Sequence, residues 1–117
     1  MDPFRRELTD QSIEKVLEVI ELFRRLDSEV PGQVIACFLY IASHNDCHKQ
    51  ALEEDLYLAV ASGSRSTDYL KKTNRLGQKG LDLIKKEVDP ANKRRVTLSL
   101  TPKGERLAND IKKILYD

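Results

Sequence analysis

Ile13, Val16, Leu17, Ile20 and Phe23 fall on one stripe, opposed by Glu14, Glu18, Glu21 and Arg25. That spacing predicts an amphipathic helix over 10–26, with Thr9 as its N-cap. Pro31 suits the first turn of a second helix running to Ser43. Val34, Ile35, Ala36, Phe38, Leu39, Ile41 and Ala42 almost surround this segment, which marks it as the core helix. Residues 44–49 read as a polar connection. A third helix is expected over 51–61, with Leu52, Leu56, Ala59 and Val60 inward. Ser62-Gly63-Ser64 then offers a break and a cap. A fourth helix is expected over 65–76. Tyr69, Leu70, Thr73 and Leu76 lie on one side of its wheel and Thr67, Asp68, Lys71 and Arg75 on the other, flanked by Arg65, Lys72 and Asn74. Gly77 and Gly80 end it.

Beyond Gly80 the period changes to alternation. Leu81, Leu83 and Lys85 share one face of a first strand, and Val96, Leu98 and Leu100 one face of a second. Asp89-Pro90-Ala91-Asn92 between them is turn chemistry, followed at once by Lys93-Arg94-Arg95. Thr101-Pro102 supplies an N-cap and first-turn proline for a last helix over 102–116, with Leu107, Ile111, Ile114 and Leu115 inward. The pattern describes a single domain over 1–117, mainly α with a small β-hairpin (α+β).

Charge changes this picture more than composition does. The 117 residues are 40% hydrophobic and 33% charged, with a net charge of only +1. Residues 1–60 nevertheless hold 6 Lys/Arg against 12 Asp/Glu, and residues 61–117 hold 14 against 7. The basic half points to a polyanionic partner. No run reaches the length of a membrane span, and Met1-Asp2-Pro3-Phe4-Arg5 lacks the apolar stretch of a signal peptide. With only Cys37 and Cys47, a disulfide scaffold is not expected and the cytoplasm is the expected compartment. Residues 65–95, which hold the fourth helix and the hairpin, carry ten Lys/Arg against four Asp/Glu.

Helix, short turn, basic helix is the layout of a helix-turn-helix, whose second helix enters the major groove of DNA. Ser64-Arg65-Ser66-Thr67, Arg75-Leu76 and Lys79-Gly80-Leu81 resemble the MarR-type winged-helix transcription regulators. The likeness continues through the whole stretch Asp89–Gly104, which resembles that family's Asp-x-x-Asp-x-Arg…Val-x-Leu-Thr-x-x-Gly wing signature with Arg94 at the wing-arginine position; Asn92 stands where the family has a second acid. The resemblance implies a winged helix-turn-helix fold and a homodimeric repressor that binds double-stranded DNA. It also implies a recognition helix in the major groove and a wing arginine, Arg94, in the minor groove. Thr67, Asp68 and Lys71 are the candidates for base edges, with Ser64 and Ser66 in the same motif. Arg65, Lys72 and Arg75 flank them as phosphate contacts, as does Lys93, while Arg94 and Arg95 suit a narrow, negative groove. The two terminal helices are the expected dimerisation elements. The residues themselves name no small-molecule effector.

Other chemistries find less support. His44, Asp46, Cys47 and His48 lack the paired spacing of zinc motifs, and no second ligand pair exists, so no metal is expected. Cys47 as a redox sensor would need a depressed pKa, with only His48 at hand to lower it. No phosphate loop, nucleophile elbow or cofactor motif is present, which argues against an enzyme. The competing reading is a winged-helix adaptor that contacts other proteins through its acidic half.

Overall fold

A computed structural model describes residues 10–73 and 76–116. The elements run α1 (Gln11–Leu26), α2 (Gly32–Ser43), β1 (Cys47–His48), α3 (Lys49–Asp55), α4 (Val60–Leu70), β2 (Ile84–Val88), β3 (Val96–Leu100) and α5 (Pro102–Tyr116). The expected N-cap Thr9 and the candidate Arg75 lie outside the described residues.

Asp10 caps α1: its carboxylate accepts the N–H groups of Ser12 (2.9 Å) and Ile13 (3.2 Å). Arg24 and Arg25 in the last turn complement the helix dipole. α1 buries Val19 and Phe23 but leaves Ile13, Val16 and Leu17 exposed, because it packs mainly along α5. α2 is the core helix, as its composition requires. Val34, Ile35, Cys37, Phe38 and Ile41 are buried, and the Phe38 ring meets Phe23 edge to face at 5.5 Å. Ala36, Leu39 and Ala42 face outward, so the burial is not all round.

Residues 44–49 are not a plain connection. Asp46 turns the chain at φ 51°, and Cys47 and His48 pair with Leu98 and Thr97. The hairpin is thereby extended to a three-stranded antiparallel sheet in the order β1-β3-β2. A two-residue strand carries no alternation to read. In the other pairing, Ile84 lies opposite Leu100, Lys86 opposite Leu98 and Val88 opposite Val96. Asp82, at φ 58°, interrupts the alternation expected from Leu81 to Lys85. Leu83 and Ile84 are consecutive and both buried.

The largest correction concerns the third and fourth helices. α3 stops at Asp55, not 61. The N–H of Leu58 donates to Glu53 O (2.8 Å) and that of Tyr57 to Glu54 O (3.3 Å), with Tyr57 at φ 56°. This is a Schellman C-cap in which a tyrosine takes the left-handed position usually given to glycine. For a side-chain-bearing residue that conformation costs roughly 1–2 kcal/mol. α4 then begins at Val60 and runs straight through Ser62-Gly63-Ser64, so Ala59 and Val60 are exposed rather than inward. Gly63 is glycine for lack of room: a Cβ there would stand 2.7 Å from Glu53 Cγ and closer still to Oε2. α4 ends at Leu70, which leaves Leu76 beyond the helix and exposed.

α5 opens as expected. Thr101 Oγ1 accepts the N–H of Gly104 (3.0 Å) and donates to Asp82 O (2.7 Å). Leu107 and Ile111 are buried and Ile114 half-buried, but Leu115 is exposed. Buried side chains from both terminal helices, α2, α3, α4 and the sheet form one cluster around Phe38.

Candidate nucleic-acid interface

α3, the Tyr57 turn and α4 form the helix-turn-helix, and α4 carries two opposed faces. Gly63, Ser66, Thr67 and Leu70 are buried. Val60, Ala61 and Arg65 are exposed, with Ser64 and Asp68 half-exposed, a stripe at helical spacing, and Lys72 is exposed beyond the helix end, where the chain turns extended at Lys71. Ala59 offers no side-chain cap and the first turn holds no acid. That end of the helix therefore presents its partial positive charge outward.

This placement sorts the residues singled out from sequence. Thr67 is fully buried and donates its hydroxyl to Gly63 O (2.8 Å) inside its own helix, so it has no atom left for a base edge. Ser66 is buried against Gln33, whose Nε2 donates to its Oγ at 2.8 Å. Both lie on the Gly63–Leu70 face that packs on α2, and the helix, starting five residues earlier than expected, adds Val60 and Ala61 to the exposed face beside Ser64 and Arg65. A wheel begun at Arg65 does not include them. Arg65 is exposed, its guanidinium donating to Ser62 Oγ at 3.2 Å.

Asp68 is half-buried and holds the recognition helix to the sheet. Lys86 Nζ donates to its carboxylate at 3.0 Å, and Lys71 Nζ lies 3.6 Å away. Burial alone would raise the Asp68 pKa, but the hydrogen bond and charge of Lys86, with Lys71 behind it, outweigh burial and hold it below 3.8. Burial likewise lowers the Lys86 pKa, against the opposing pull of Asp68. The carboxylate on the reading face is thus neutralised from within. At the far end of the helix, the Tyr69 hydroxyl donates to Asp27, the C-cap residue of α1. This contact pushes Tyr69 up to about 12, after burial as the first cause, and lowers Asp27.

The wing is ordered by its own turn residues. Asp89 Oδ1 accepts the N–H of Ala91 (2.9 Å) and Asn92 Oδ1 that of Arg94 (3.1 Å), while Asp89 N–H donates to Arg95 O (2.9 Å). Asn92 therefore braces the turn through a neutral amide. Lys93, Arg94 and Arg95 are all exposed at its tip. Between wing and helix-turn-helix lies a cleft of about 700 Å³, lined by Lys49, Gln50, Leu58, Val60, Arg94 and Arg95 among others. Lys49 also pairs with the buried Glu53.

The remaining candidates disperse. His44 stacks on Tyr40 with ring centroids 3.9 Å apart, whereas Cys47 is buried within strand β1. Burial, followed by the charge of Cys37, pushes the Cys47 thiol up to about 11, the opposite of what a redox-sensing thiolate needs. Among the described residues, no helix is long and apolar enough to cross a membrane.

At the level of sequence the chain matches no family model and none of the curated proteins. Solved structures do match its fold. S. aureus MepR in complex with DNA superposes with a TM-score of 0.68 at 18% identity, over 95% of this chain and 81% of that one. MarR gives 0.60 at 20% identity over 87% and 74%. A MarR-like transcriptional regulator from Thermotoga maritima gives 0.61 at 20% identity over 92% and 77%. The fold is the winged helix-turn-helix found in these regulators, mainly α with a small sheet.

Proposed function

We propose that this chain is a cytoplasmic, sequence-specific transcription regulator, a repressor that binds double-stranded DNA as a homodimer. The observation that carries the reading is the placement of charge. Arg65 stands on the exposed stripe of α4 and Lys72 beyond its end, Lys93, Arg94 and Arg95 on the wing tip, and Lys49 in the cleft between. A major groove about 12 Å wide admits one helix. With α4 in that groove, one sugar-phosphate strand fits the cleft, and the wing arginines reach the adjacent minor groove, whose negative potential suits them. Ser64, Arg65, Asp68 and Lys71 then stand nearest the bases, and Lys72 and Lys93 nearest the phosphates.

The terminal helices support the dimer. α1 and α5 pack along each other yet leave Ile13, Val16, Leu17, Leu115 and Tyr116 exposed. A second copy covers that apolar face and brings two reading heads onto half-sites about one helical turn (~34 Å) apart. Selection of bound fragments from sheared genomic DNA tests the whole reading. Enrichment of a palindromic motif with that spacing is expected. Failure to retain any duplex at low salt would refute it and favour the adaptor.

A further inference from the structure

Tyr57 and Val60 are large apolar side chains, 95% and 68% exposed, at the point where the helix-turn-helix leads with its recognition helix. Ala61 beside them is exposed as well. Tyr57 also holds a left-handed φ of 56° while its side chain packs against nothing that would bury it. Leu58 and Val60 open into the same cleft as Arg94 and Arg95. An apolar patch ringed by these cations and Arg65 suits a surface that is anionic at its edges and carries an apolar group within.

The major groove of duplex DNA has such a group, the C5-methyl of thymine. We infer that Val60 reads a thymine methyl, with Ala61 closing the contact and the Tyr57 ring resting on the neighbouring sugar-phosphate. This deepens the DNA-binding reading and rests on it. Arg65 lies five residues further along α4, about 7.5 Å at 1.5 Å per residue. At 3.4 Å per base step that is about two base pairs. Arginine favours the O6/N7 edge of guanine. Each half-site therefore carries a thymine about two base pairs from a guanine.

The test uses the full chain and a duplex recovered by selection, with each thymine of one half-site replaced in turn by deoxyuridine, which lacks only the methyl. Loss of one buried methyl is expected to weaken binding about fourfold, and at one thymine position only. Val60→Ala should bind the thymine and deoxyuridine duplexes equally at that position, while Val60→Ile should keep the discrimination. Tyr57→Ala should weaken binding to both duplexes alike. Circular dichroism should show all three variants folded, since the replaced side chains are exposed. If no thymine position responds, or if Val60→Ala discriminates as the wild type does, the inference fails while DNA binding stands. If the wild type binds no duplex at all, both fail.

Discussion

Gly63 tests the corrected boundary between α3 and α4. Were it a loop residue between two helices, alanine there would be harmless. In the structure it is mid-helix, and an added Cβ would stand 2.7 Å from Glu53 Cγ and 2.9 Å from Cδ. Glu53 cannot simply swing aside. It is 8% exposed, and its carboxylate pairs with Lys49 in a site that covers most of both side chains. Overpacking of this kind costs about 1–3 kcal/mol, against the roughly 1 kcal/mol by which alanine is the better helix former. Gly63→Ala should therefore destabilise by about 1 kcal/mol, and by no more than about 2, lowering Tm by roughly 4 °C. Glu53→Ala removes the obstruction. In that background Gly63→Ala should stabilise by up to about 1 kcal/mol, the partnerless Lys49 being common to both arms. Urea and thermal unfolding of the four proteins should give a coupling energy of about 1–3 kcal/mol, in the range for contacting residues. Equal effects of Gly63→Ala in the two backgrounds would refute the packing, and with it the early start of α4.

Three further outcomes are expected. Thr67→Val should cost about 1 kcal/mol in unfolding experiments and leave the ranking of bound sites unchanged, whereas Arg65→Ala should alter that ranking; the opposite assignment would return Thr67 to the reading face. Asp68 and Asp27 both sit below their unfolded value of 3.8, so the stability they add is complete above about pH 4 and is lost as pH falls through their folded values. Chemical denaturation between pH 6 and 2 should show this loss, reduced in Asp68→Asn. Leu17→Lys, on the exposed face of α1, should give folded monomers in analytical ultracentrifugation that bind DNA at least tenfold more weakly; an unchanged sedimentation coefficient would place the dimer contact elsewhere.

Much of this molecule was legible in its sequence because each signal was local. Helices α1 and α5, the apolar α2, the Thr101-Pro102 start and the basic hairpin tip are set by neighbouring residues and survived folding, though Leu115 of the expected inward face is exposed. What failed depended on contacts that no window contains. Gly63 resembles a break until Glu53 is seen filling the space of its missing side chain. Tyr57 gives no sign of ending a helix, since tyrosine seldom adopts a left-handed φ. Thr67 reads as a polar surface residue until α2 is seen to cover the face it shares with Gly63 and Leu70, where its hydroxyl bonds within its own helix. The reading face consequently moved to Val60, Ala61, Ser64 and Arg65, while the wing stayed where Arg94 and Arg95 had placed it. The Asp68–Lys86 and Asp27–Tyr69 links join residues 18 and 42 positions apart, which composition and periodicity cannot pair.

The central claim, that α4 and the wing engage duplex DNA with a defined set of cations that displace its counterions from groove and backbone alike, is tested most directly by the salt dependence of duplex binding. Arg65, Lys72, Lys93, Arg94 and Arg95 make five exposed cations per protomer on the proposed surface. A slope of about −0.9 per neutralised phosphate gives about −4.5 per protomer in log affinity against log salt concentration. That is roughly a 500-fold loss per protomer over a fourfold rise in salt. Arg94→Ala should reduce the slope by about one per protomer with unchanged thermal stability. A slope near zero, or an Arg94→Ala protein with the wild-type slope and affinity, would contradict the account.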